Sequence, residues 1–141
     1  MTIINDLMSQ GIPALPAKTV GQAIIDLQGQ TTSTAPTKST GTGLTAAGTT
    51  ISDALALTKL VNVVTTAAAS TGVKLPDAPI GQMVTVQNNG ANAINVFPHS
   101  ASGTINAGSA GAAVTTASAA GAICIRNSST DWTVWVTAKE A

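Results

Sequence analysis

Gly81-Gln-Met-Val-Thr-Val-Gln87, the turn Asn88-Asn89-Gly90 and the run Ala93-Ile-Asn-Val-Phe97 decide how this chain is read. Apolar Val84 and Val86 alternate with Met83, Thr85 and Gln87, the period-2 pattern of a strand with one buried face. Ile94 and Val96 continue the apolar side after the turn. Asn-Gly supplies the positive φ values of a type I′ turn, so the pair is expected to form a hairpin.

The same grammar runs on to Thr137. Ala113-Val-Thr-Thr-Ala117, Ala122-Ile-Cys-Ile-Arg126 and Asp131-Trp-Thr-Val-Trp-Val-Thr137 are strand-like runs separated by Gly, Ser, Asn or Pro. Ile105-Asn-Ala-Gly108 reads as a short strand and turn. Strands at about ten-residue spacing with turn signals predict an all-β unit: a small β-sandwich, jelly roll or barrel. Its expected core or subunit-contact residues are Val84, Val86, Ile94, Val96, Ile123, Ile125, Trp132, Val134 and Val136. Trp132 and Trp135 fall on opposite faces of the last strand, so one is expected inside and the other partly exposed.

Working back from Gly72, the chain becomes harder to read. Leu75-Pro-Asp-Ala-Pro79 is a rigid extended connector. Ala54 to Leu57 alternates and Val61-Asn-Val-Val-Thr-Thr66 is β-branched, favouring two strands over a helix within 44–70. Residues 30–43 are Thr, Ser, Gly and Ala with Pro36 and Lys38, too poor in apolar groups to form a core, and are expected to be a linker. Fully extended, they would span on the order of 45 Å.

Residues 1–29 carry two short apolar helical stripes joined by the Pro-rich strap Ile12-Pro-Ala-Leu-Pro16. The first comprises Ile3, Ile4, Leu7 and Met8, and the second Val20, Ala23, Ile24 and Leu27. Helices this short need a partner surface. The expectation is a docking segment using Ile3, Ile4, Leu7, Met8, Ile12, Leu15, Val20, Ile24 and Leu27, followed by the linker and a β head over 44–141.

Composition narrows the function classes. The 141 residues hold six basic and six acidic side chains, 9% charged in all, against roughly 25% in a typical soluble domain. None lies between Ala78 and Cys124. A neutral, sparsely charged chain argues against binding nucleic acid through phosphates and favours self-association. With only Phe97, Trp132 and Trp135 as aromatics, the core is built of small side chains and gains from being shared between copies.

No apolar run reaches the ~18–20 residues of a membrane span, and no secretory leader is evident. Synthesis in the cytoplasm is therefore expected. The single Cys124 admits no intrachain disulfide and no multi-cysteine zinc site; between Ile123 and Ile125 it reads as a buried, inert thiol. His99, Ser100, Ser102 and Asp77 could be assembled into a triad on paper, but no nucleophile elbow accompanies them. The six acids are scattered singly and no metal-ligand spacing occurs, so neither an enzyme nor a cofactor is expected.

Val61-Asn-Val-Val-Thr-Thr-Ala67, Gly72-Val-Lys-Leu-Pro76, Gly81 to Gly90, Ile94-Asn-Val-Phe-Pro98, the Gly-Ser-Ala-rich middle and Asp131-Trp132 together resemble the β domains of tailed-bacteriophage virion proteins of the head decoration (cement) or head-fibre type. The resemblance covers about 75 residues. It implies a homotrimer on the virion, an N-terminal segment bound to the major capsid protein and a β head pointing outward, with no catalytic residues to transfer. The alternative is a tail or head-fibre adhesin that binds host surface glycans.

Overall fold

The computed structural model describes residues 37–138, and they form ten strands and no helix. These are β1 Thr37–Thr45, β2 Leu55–Ala56, β3 Lys59–Thr66, β4 Gly72–Lys74, β5 Met83–Asn88, β6 Ile94–Phe97, β7 Thr104–Ile105, β8 Val114–Thr116, β9 Gly121–Arg126 and β10 Asp131–Val136. The docking residues expected within 1–29, and residues 30–36, lie outside this range.

The chain alternates between two sheets. β1, β3 and β5 are parallel neighbours in the larger sheet, while β2, β4 and β6 are parallel neighbours in the smaller. Each odd strand thus hands over to an even one, and the chain winds three times around one core. The last third departs from that winding. β9 runs antiparallel to β5 and β10 antiparallel to β9, with β7 at the edge; β8 lies antiparallel to β6.

The unit is therefore all-β, as expected, but its arrangement is β-solenoid-like rather than a sandwich, jelly roll or barrel. Those architectures are built from antiparallel hairpins and Greek keys. Period-2 alternation sets which face of a strand is buried; it says nothing about which sheet the next strand joins.

The expected hairpin at Asn88-Asn89-Gly90 is likewise corrected. β5 and β6 lie in different sheets, and neither asparagine has positive φ. The segment is a corner held from within. Buried Asn88 donates through Nδ2 to the carbonyls of Asn92 (2.9 Å), Ala117 (3.0 Å) and Thr116 (3.2 Å), and its Oδ1 accepts from Gly90 N (3.0 Å). Glycine is required at 90 for space: a Cβ there would stand 2.9 Å from the Ala67 side chain one winding earlier.

Register stacks the core in rows. Val84, Cys124 and Val134 align across β5, β9 and β10, as do Val86, Ala122 and Val136. Small Ala122 and Cys124 fit between valines, which keeps the interior closed despite the shortage of large side chains. Of the expected set, Val84, Val86, Ile94, Val96, Trp132 and Val134 are buried. Ile123 and Val136 are exposed and Ile125 is half-buried. Because Ala122, Cys124 and Arg126 take the inner face of β9, Ile123 and Ile125 must point outward. Val136 has inward parity but lies at the strand end.

Two strands form within 44–70, β2 and β3, as the alternation from Ala54 to Leu57 and the β-branched run Val61 to Thr66 favoured. Residues 37–43, read as linker, are paired in β1 beside β3. Threonine suits a pleated surface, and a parallel neighbour satisfies the backbone that apolar content alone would not have ordered.

Candidate functional site

Two places gather side chains of interest. One is internal, at the end of the core where β9 and β10 meet the loops after β4 and β6. The other is the outer face of the larger sheet.

At the internal site, Arg126 faces inward opposite Trp132 and is buried. Each part of its guanidinium has an acceptor. Nε donates to Ser128 O (3.0 Å), one terminal nitrogen to Ala78 O (2.7 Å) and to the Asp77 carboxylate, and the other to Ser129 O (2.5 Å). The connector Leu75–Pro79 and the turn 127–130 are thereby clamped to β9. Beside Arg126, His99 places Nε2 at 3.2 Å from the guanidinium, and its Nδ1 accepts from Trp132 Nε1 at 3.1 Å.

Indole and guanidinium are donors only, and a neutral imidazole has one acceptor nitrogen. With Nδ1 accepting from Trp132, the imidazole is neutral and its proton sits on Nε2, where Ser100 Oγ can accept it at 3.4 Å. The approach to Arg126 is a contact rather than a hydrogen bond. Burial first, and then the positive charge of Arg126, lower the His99 pKa, against a smaller opposite pull from Asp77. Ser100 Oγ stands 3.4 Å from Nε2 and 3.3 Å from Ser102 Oγ. The structure thus brings Asp77, His99, Ser100 and Ser102 into one neighbourhood, as the paper triad would need. The chemistry is wrong for one. The lone pair of His99 is committed to Trp132, and Asp77 pairs with Arg126 rather than with the imidazole. The cluster is a clamp without a general base aimed at a hydroxyl.

Cys124 is fully buried, and burial pushes its thiol up to about 12. Among the described residues, no three His, Cys, Asp or Glu side chains are grouped so as to hold a metal ion.

The outer face of the larger sheet is a different kind of surface. Thr40, Val61, Thr85, Ile123 and Trp135 are successive register partners across β1, β3, β5, β9 and β10. Met83, Ile125 and Thr133 form the row to one side. On the other side, Val63, Gln87 and Gly121 align, and Thr137 N bonds to Gly121 O at 2.8 Å. Trp135 is 54% exposed, Met83 48%, Val61 44% and Ile123 38%. On β5, β9 and β10 these three rows carry no formal charge.

Gly121 has no side chain to contribute to its row, which leaves a shallow concavity of about 380 Å3. Val61, Thr85, Gln87, Ile123 and Thr137 surround it. Trp135 stands next to it, paired with Ile123 and two residues before Thr137.

The expectation that Trp132 and Trp135 occupy opposite faces, one inside and one partly exposed, is met with Trp132 inside; Trp135 is more exposed than expected. Sequence reasoning missed Arg126 as a buried group and Asn88 as a corner clamp. The signal for Arg126 is its parity with Ala122 and Cys124, which the expectation of Ile123 and Ile125 as core residues reversed.

Searches found no matching family model, no matching curated protein and no matching solved structure.

Proposed function

We propose that this chain is a non-enzymatic structural protein of a phage particle, decorating and stabilising the capsid exterior. In this reading residues 1–29 grip the major capsid protein and the β unit stands outward as a homotrimer. The observation that carries it is the outer face of the larger sheet: five strands wide, apolar and threonine-rich, and uncharged on β5, β9 and β10. Apolar patches of this kind mark interaction surfaces. Many copies on a symmetric shell would add avidity to weak individual contacts.

A second reading is favoured by one feature. Exposed Trp135 beside a concavity edged by Gln87, Thr85 and Thr137 offers a stacking ring with neutral hydrogen-bonding groups, which suits a neutral glycan. The test is sedimentation of the purified protein with capsids assembled from the major capsid protein of the same genome. Co-sedimentation that is lost on deleting residues 1–29, with the β unit still folded, is the expected result. Failure to sediment with capsids overturns decoration.

A further inference from the structure

We propose that the outer face of the larger sheet is the contact between copies of this chain, with Trp135 of one copy seated in the concavity over Gly121 of the next. This deepens the reading of a self-associating structural protein and rests on it. Knob and notch lie side by side on one face. The ring projects from β10, while the notch exists because β9 carries glycine where Ile123 and Ile125 would otherwise continue the outward row.

Three observations select a second copy as the occupant. First, the rows through Met83, Thr85 and Gln87 are uncharged on β5, β9 and β10, so like meets like there without repulsion. Second, the notch of about 380 Å3 over Gly121 is edged by apolar Val61 and Ile123. An aromatic side chain that buries about 150–250 Å2 on contact suits an apolar seat of that kind. Third, the face is large enough. Five strands spaced about 4.8 Å apart, each contributing about six residues, present on the order of 500 Å2 per copy. Two such faces reach the roughly 1,000 Å2 at which a specific interface begins. At that lower limit a single buried tryptophan dominates the binding energy. A two-fold pair seats both rings in reciprocal notches, whereas a cyclic arrangement seats each ring in the next notch. The same two residues are required in either case.

The experiment is the mass of the full chain by light scattering over a concentration series, for the wild type, Trp135→Ala and Gly121→Leu. Tryptophan emission and thermal unfolding are followed alongside. Trp135 is largely exposed. A Cβ at Gly121 would first meet the flexible end of Gln87 at 3.0 Å, so both variants are expected to fold. The wild type should show a multiple of 13.9 kDa and an emission shift to shorter wavelength as it associates. Both variants should fall to one chain, or need at least tenfold more protein to associate. Should Gly121→Leu fail to fold, Gly121→Ser and Trp135→Ala still test notch and knob separately. A wild type that stays one chain at every concentration overturns self-association altogether, and with it the homotrimer above. If its Trp135 emission then shifts with neutral oligosaccharides, the face is a sugar platform instead. A wild-type oligomer that survives both substitutions overturns only the placement of the contact.

Discussion

Trp132 donates its indole N–H to His99 Nδ1 at 3.1 Å, the two rings tilted 50° to one another. That bond exists only while the imidazole is neutral, and Arg126 on the other side opposes a second positive charge. An unfolded chain protonates His99 in the ordinary range, near pH 6.5, whereas the folded chain does so only at lower pH. Between the two, the unfolded state binds more protons, so stability falls as the pH drops through the ordinary histidine range. It stops falling on this account once the folded form is protonated. Unfolding followed from pH 8 to 5 should show this loss, and His99→Asn, which keeps an acceptor near the Nδ1 position without titrating, should be flat over the same window. Equal slopes for the two proteins would remove His99 from the acid response.

Asp77 adds a separate, more acidic phase. The Arg126 guanidinium beside it holds its carboxyl below the usual carboxylate range. Its contribution is therefore present above about pH 4 and is lost as the pH falls further. The carboxylate side is 64% exposed, while Arg126 is 8% exposed, so water screens the pair. Asp77→Asn should cost no more than about 1 kcal/mol. Arg126→Met removes the donors to three carbonyls as well and should cost about 2–3 kcal/mol. Denaturant titrations of the two variants compare them directly; a larger loss for Asp77→Asn would contradict the clamp.

Asn88 predicts a second asymmetry. Its amide serves three carbonyls and one backbone N–H inside the corner between the sheets. Asn88→Ala should cost about 2–4 kcal/mol, since it strands buried groups that no longer have a partner. Asn88→Asp should be worse above pH 5, because a carboxylate can donate to none of the three carbonyls. Asn89 is exposed, and its substitution by Ala should change the unfolding midpoint little. If Asn89→Ala were as damaging as Asn88→Ala, the turn would be acting through its local conformation rather than through the buried amide.

These residues show what was legible in the sequence and why. Alternation of Val84 with Val86, and of Trp132 with Val134, named the buried face correctly, because the pleat alone sets it. Asn88-Asn89-Gly90 was read as a hairpin because turn chemistry is local, whereas the choice of a partner strand is not. Val61 to Val64 offered β5 a parallel neighbour, and that pairing carried β6 into the other sheet. Ile123 and Ile125 looked like core by hydrophobicity and are outside by parity. The outer face could be assembled only once the register of β3, β5, β9 and β10 was known, since Thr40, Val61, Thr85, Ile123 and Trp135 are scattered over 96 positions of sequence.

Cys124 gives a last prediction, one that reads the opening of the core. It sits between Val84 and Val134 with no exposed surface, and its thiol is pushed up to about 12 by burial. The reactive form is the thiolate, which is scarce at pH 8 under these conditions. A disulfide reagent should therefore label native protein orders of magnitude more slowly than protein in denaturant. Labelling should also track the openings that separate β9 from its neighbours. Cys124→Ala removes a sulfur from a packed row and should cost about 1–2 kcal/mol through the small cavity it leaves. Because Ile123 faces outward on the adjacent residue, Ile123→Ser should leave the labelling rate of isolated chains within a few-fold of wild type. Rapid labelling of the native wild type would mean that the rows through Val84 and Val134 do not close over the thiol.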